Sequence, residues 1–173
     1  MDIIFQYIKN PYAILPIDSE KVSIWHCLVS ILLGALSLGS LLDTINLLFI
    51  CALFSCLLII MILNALTIDF VAQLLSKPAN SITLFKGLSL SLIIIIFFKP
   101  IQLLEPFVSS TIISLLYLLG LSYFSHIQCK TIQKTYQIRG ITANLLWLMP
   151  SLLTLGTIIA VWILLIQLIA PYF

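Results

Sequence analysis

Five long apolar runs, parted by short polar breaks, leave this chain one class of fold. The runs fall near residues 23–42, 45–66, 87–98 with its apolar flanks, 107–124 and 144–170. A helix needs about 20 predominantly apolar residues to cross the hydrocarbon of a bilayer. Lipid offers the backbone no hydrogen-bond partners, so each such run must satisfy its own N–H and C=O groups as a helix. The fold class expected is all-α: an integral membrane bundle of five transmembrane helices, N-terminus cytoplasmic and C-terminus outside.

The placement of the cations supports that count. If every run crosses, Lys9, Lys21, Lys77, Lys86, Lys130, Lys134 and Arg139 fall on one side, and only Lys99 on the other. Such asymmetry is expected when cytoplasmic loops keep their Lys and Arg during insertion. A miscounted span would exchange the sides of every later cation. Composition agrees. The 173 residues are 62% hydrophobic and 8% charged, whereas a soluble domain carries about 25% charged residues. So few charges would not cover a water-facing surface of this size. The net charge of +2 is spread over several loops, which does not suit nucleic-acid binding.

Two parts follow: residues 1–22, a cytoplasmic or interfacial segment, and residues 23–173, the five-span membrane domain. In the first, Ile4, Tyr7 and Ile8 share a helical face that suits the membrane surface. Pro11 and Pro16 end it, and Asp18, Glu20 and Lys21 form a polar collar. The first apolar run is too long for a signal-peptide core and reads as an uncleaved span. On it Ser30, Gly34 and Ser37 make a small-residue face that admits close approach of a helix, within the chain or from a second copy. Residues 43–46 form a tight turn into span two. Span two is expected to continue past residue 67 as an amphipathic helix and to break at Lys77-Pro78-Ala79-Asn80, with Ser81 capping the next helix. Span three has only 12 uncharged residues, 87–98. It crosses fully only if flanking residues join it, and a re-entrant hairpin is the competing geometry. Residues 125–142 read as the most polar loop. Span five carries Pro150, which predicts a kink or a local break.

Few residues carry chemistry. No HExxH, GxSxG or phosphate-binding glycine loop occurs. His26 and His126 lie at expected membrane edges, and Lys99 and Glu105 bracket a turn across which they could pair. The cysteines, Cys27, Cys51, Cys56 and Cys129, read as small apolar residues, with a disulfide or metal site as the alternative. No catalytic, cofactor-binding or metal site is expected, and no cofactor. The grouping with a functional option is the basic rim of Lys77, Lys86, Lys130, Lys134 and Arg139. It is read as a contact surface for a protein or anionic lipid, against the plain reading of a solvated rim.

Four stretches then resemble the YIP (Ypt/Rab-interacting) family of membrane proteins in its small prokaryotic form. They are Asn10-Pro11-Tyr12 before span one, the polar lead-in 79–87 (ANSITLFKG) to span three, the run 115–121 (LLYLLGL) in span four, and the Pro-bearing start of span five, 144–150. Their order runs from residue 10 to residue 150. The resemblance implies five spans, a cytoplasmic N-terminus and an exterior or lumenal C-terminus. It also implies kinship with proteins of vesicle traffic that bind Rab-type GTPases. The Tyr-Gly-Pro-type motif of those relatives has no match in this sequence.

The function expected is non-enzymatic: a scaffold or membrane-organising protein of the cytoplasmic membrane of a prokaryote. Its partners would be membrane lipids, with a protein partner or a homo-oligomer, and no nucleic acid. The alternative is a component of a transporter or channel, with a path lined by Asn64, Ser91, Gln102, Asn144 and Gln167.

Overall fold

The structure, a computed structural model, describes residues 22–42 and 46–169, the last twelve by backbone alone. The expected helix near residues 4–8, the collar and most of the 43–46 turn lie outside the described residues. Among the described residues all regular structure is helical: α1 (Ile24–Leu41), α2 (Leu47–Leu74), α3 (Ser81–Ser91), a 3₁₀ segment (Leu92–Phe97), α4 (Phe98–Leu103), α5 (Ser110–Tyr136) and α6 (Gly140–Ile169). Among the described residues four stretches are long and apolar enough to cross a membrane: α1, α2, the composite Ser81–Leu103, and α5.

α1 and α2 form a hairpin, and α3 runs back through the middle of the bundle against α1, α2 and α5. The small-residue face of α1 is what admits it. Ser30, Gly34, Ala35, Ser37 and Gly39 are all buried. A Cβ on Gly34 would sit 3.4 Å from Leu92 Cβ and 3.8 Å from the Leu92 carbonyl oxygen, so a small residue here lets the two helices pack closely. The face is therefore used within the chain.

The third run is one unbroken helical path of 23 residues and the most buried of the four. Its mixed pitches give about 35 Å end to end if coaxial, enough for a hydrocarbon core of about 30 Å. The geometry favours crossing over a re-entrant hairpin. Sequence explains the tightened middle. Ile93 to Ile96 are consecutive β-branched residues that crowd one another in an α-helix. Pro100 offers no N–H, and its ring excludes the Ile96 carbonyl four residues earlier. The Ile95 carbonyl instead accepts from the Phe98 N–H and from Ser37 Oγ of α1, at 3.0 Å.

Helix ends explain several boundaries. Asn46 caps α2, its side chain accepting from the Leu48 N–H at 3.1 Å. The expected cap at Ser81 is displaced by one residue: Asn80 is the cap and Ser81 is the first helical residue. α2 ends where expected, and α2 and α5 end alike. Ser76 and Gln137 adopt positive φ, 61° and 50°. The next N–H groups, of Lys77 and Ile138, reach back to Ala72 and Gln133 at 3.1 Å each, the Schellman arrangement. Pro150 does not break α6, which continues from Gly140 to Ile169.

The largest departure is the expected polar loop 125–142. Residues 125–136 are helix, and only 137–139 form a turn. No Pro or Gly interrupts 121–139, and Ile127, Gln128, Thr131, Ile132 and Tyr136 are buried at helical spacing. α5 thereby runs about 18 Å beyond Phe124.

Candidate functional site at the basic end

One hub fixes which segments meet. Asp69 is 4% exposed on α2. Its Oδ1 accepts from Tyr136 Oη of α5 at 2.5 Å and from the Asn80 N–H, ahead of α3, at 2.7 Å. Its Oδ2 accepts from Gln73 Nε2 at 2.8 Å. The end of α2, the start of α3 and the end of α5 therefore share one end of the bundle. The sequence suggested an amphipathic helix beyond residue 67. In it Phe70, Leu74 and Leu75 are exposed, while Asp69 and Ala72 are buried.

Five of the six described cations lie at or near this end: Lys77, Lys86, Lys130, Lys134 and Arg139. They are not equivalent. Lys130 and Lys134 line one open concavity of about 510 Å³ with Gln133, Gln137 and Ile138. Lys130 Nζ donates to Gln133 Oε1 at 3.0 Å. Arg139 is exposed and Lys77 half-buried, each beside the turn that ends its helix. Lys86 is the exception. It is 7% exposed, in α3 where its carbonyl lies 4.0 Å from Cys27 Sγ of α1. Its side chain belongs to the bundle interior and not to the solvated rim. Position six in a helix that starts at a surface turn made it look peripheral, but α3 is central and buried from its first turns.

The sixth described cation, Lys99, marks the opposite end. Its Nζ donates to the Ser40 carbonyl at 2.7 Å and to Gln102 Oε1 at 2.9 Å. Gln102 Nε2 donates to the Leu41 carbonyl at 3.2 Å. The last carbonyls of α1 have no intrahelical donor and carry the negative end of the helix dipole. Lys99 and Gln102 cap them, a role the sequence reading, which set Lys99 against Glu105, did not find.

A third polar group crosses the interior. Trp147 Nε1 of α6 donates to Gln128 Oε1 of α5 at 2.7 Å, and Gln128 Nε2 donates to Ser91 Oγ of α3 at 3.1 Å. Three helices are tied by one relay, as polar side chains do in lipid. Trp147 is thus bonded inward, to α5.

The residues expected to line a transport path are dispersed. Ser91 belongs to this relay, Gln102 caps α1 at the far end, Asn64 is half-buried and Asn144 exposed. The Gln167 side chain lies outside the described residues. Two crevices among the described helices, of about 480 and 230 Å³, are lined almost wholly by apolar side chains. His26 Nδ1 accepts from the Ser23 N–H at 3.2 Å, closing the first turn of α1. Cys27 is buried, Cys51 and Cys56 are exposed, and no disulfide joins the four cysteines. No group of three His, Cys, Asp or Glu that could hold a metal occurs among the described residues.

No protein-family model, no curated protein and no solved structure matches the chain. Four helices apolar enough to cross a membrane define the class, a multi-pass membrane protein, and the class is as far as identity goes.

Proposed function

We propose that the chain is a YIP-like integral membrane protein that crosses the cytoplasmic membrane of a prokaryote five times, N-terminus inside and C-terminus outside. It is a non-enzymatic scaffold that organises membrane by docking a partner at its basic end. α6, a 30-residue helix, supplies the fifth crossing. The observation that carries the reading is the charge partition: Lys77, Lys130, Lys134 and Arg139 lie at one end and Lys99 at the other, as a cytoplasmic basic end requires. Length supports a platform there. α2 has 28 residues and α5 has 27, about 40 Å each against a hydrocarbon core of about 30 Å. The excess of α5 is its polar last third, which carries Lys130 and Lys134. The interior polar groups support a scaffold over a transporter, because Ser91, Gln128 and Gln102 bond to neighbouring helices instead of facing a shared passage.

The test is charge reversal. Lys130→Glu with Lys134→Glu should lower retention of the partner about tenfold or more, through like-charge repulsion at the contact. Neither side chain is in the core, so stability should change by less than about 0.5 kcal/mol. Gentle-detergent purification followed by mass spectrometry of everything retained reads both protein and lipid. Unchanged retention would sink the docking role.

A further inference from the structure

Along α6 the packing stops at one residue. Before Pro150 the helix is seated on α5 and α2. Ala143 and Leu146 are 1% and 2% exposed, and Trp147 bonds Gln128. After Pro150, every residue from Ser151 to Thr157 is exposed. That stretch makes about two turns, so none of its faces rests on the bundle.

The backbone loosens at the same place. Pro150 offers no N–H, and its ring crowds the Leu146 carbonyl. Ala143, Leu146 and Pro150 fall at i, i+3 and i+7, one stripe that faces the bundle. A clash on that stripe pushes the following turns away from the bundle. Two hydroxyls add to the bend. Thr154 Oγ1 donates to the Pro150 and Ser151 carbonyls at 3.0 and 2.9 Å, and Thr157 Oγ1 donates to the Thr154 carbonyl at 2.8 Å. Hydroxyls that bond the preceding turn bend helices. A Cβ on Gly156 would meet nothing within 4 Å.

The bundle has a matching gap. The Trp147–Gln128–Ser91 relay sets Trp147 and Ser91 at one height, and α3 and α6 both run away from the basic end. On the central path Lys86 to Ile94 are buried without exception, Ile95 and Ile96 are half-buried, and Phe97 is 52% exposed. These last three lie about 8–12 Å past the relay, and residues 151–155 about 6–12 Å past it on α6. The central path loses its cover at the height where α6 leaves the bundle.

We propose that Pro150 is a hinge and residues 151–169 a strap, which this structure holds swung out. In the closed form α6 straightens, and the strap lies between α2 and α5 over Ile95 to Phe97. Residues 140–169 carry no charge, so both forms suit lipid and differ in packing alone, the term that governs helix association there. The swung-out form opens the central path sideways to the bilayer. The proposal takes α6 as a crossing helix. Its failure would leave the charge partition, and with it the docking reading, untouched.

The test is disulfide trapping of the full chain, freed of its four cysteines, in lipid nanodiscs. Copper-phenanthroline oxidation of Phe97→Cys with Leu153→Cys should join the two within one chain, which requires Cα atoms within about 7 Å. Leu145→Cys, in the seated part and about 15 Å from the height of residue 97, should stay uncoupled to Phe97→Cys. Adding Pro150→Ala to the first pair removes the wedge and should speed coupling at least about fivefold. Its thermal midpoint should hold or rise, because alanine restores a helical N–H. No coupling with either residue at 150 would abolish the closed form. Equal rates with proline and alanine would remove the hinge from Pro150. Coupling of the Leu145→Cys pair at the same rate would reduce the trap to random collision and overturn the strap.

Discussion

Asp69→Ala should cost about 3 kcal/mol of stability, the largest single-site loss expected from a polar residue in this chain. Asp69 is 4% exposed and accepts from Tyr136, Asn80 and Gln73. Truncation leaves the Asn80 N–H and the Tyr136 hydroxyl without their acceptor in a buried setting. Each such orphan costs about 1–3 kcal/mol. Gln73 is exposed and can turn to water, so its share is small. Tyr136→Phe should cost about 1–1.5 kcal/mol, because Asp69 keeps its other two donors. Gln73→Ala should cost less still. Thermal unfolding of helical circular dichroism in detergent orders the three. At about 2–4 °C per kcal/mol for a chain of this size, Asp69→Ala should lower the midpoint by about 6–12 °C. Three equal shifts, or none, would remove the hub from the account.

Gly34→Leu should cost about 2–3 kcal/mol for the opposite reason. Gly34 is buried, and its missing Cβ would already touch Leu92 Cβ at 3.4 Å and Leu57 Cδ1 at 3.9 Å. Alanine fits with ordinary contacts. The further three carbons of leucine enter space held by Leu92 and Leu57, and overpacking of that kind costs about 1–3 kcal/mol. The pair Gly34→Ala and Gly34→Leu therefore separates two uses of the small-residue face. A face packed within the chain predicts a large loss of stability for leucine alone, with the oligomeric state unchanged. A face used between copies would give the reverse, a shift in light-scattering mass at unchanged stability.

What was legible in the sequence was what the bilayer dictates. The apolar runs, their hairpin order and the split of cations follow from the need to bury backbone in lipid and retain Lys and Arg on one side. The Ser30/Gly34/Ser37 spacing pointed to close helix approach, and that is where Leu92 lies. What was not legible depends on tertiary neighbours. A charge such as Asp69 normally faces water, yet Tyr136, 67 residues away, draws it inward. Residues 125–136 read as loop because they are polar. Their buried face is partly polar too, with Gln128 and Thr131, so apolar periodicity alone could not reveal the helix. The absence of Gly and Pro across 121–139 could have. The same helical spacing makes Lys130, Gln133, Lys134 and Gln137 one stripe, which a loop reading scatters. Lys86 sits near a helix start, and only the central position of α3 makes it interior.

The basic end must face the cytoplasm for the proposed role, and impermeant maleimide labelling of sealed cells tests that directly. In a chain freed of Cys27, Cys51, Cys56 and Cys129, single cysteines are placed by Ala79→Cys and Pro106→Cys. Both positions are exposed, one in the connection between α2 and α3 at the basic end, the other in the connection between α4 and α5 at the far end. The prediction is that the cysteine at 106 labels in intact cells and the one at 79 only after permeabilisation. Labelling at 79 in intact cells, with 106 protected, would place the basic end outside and contradict the account.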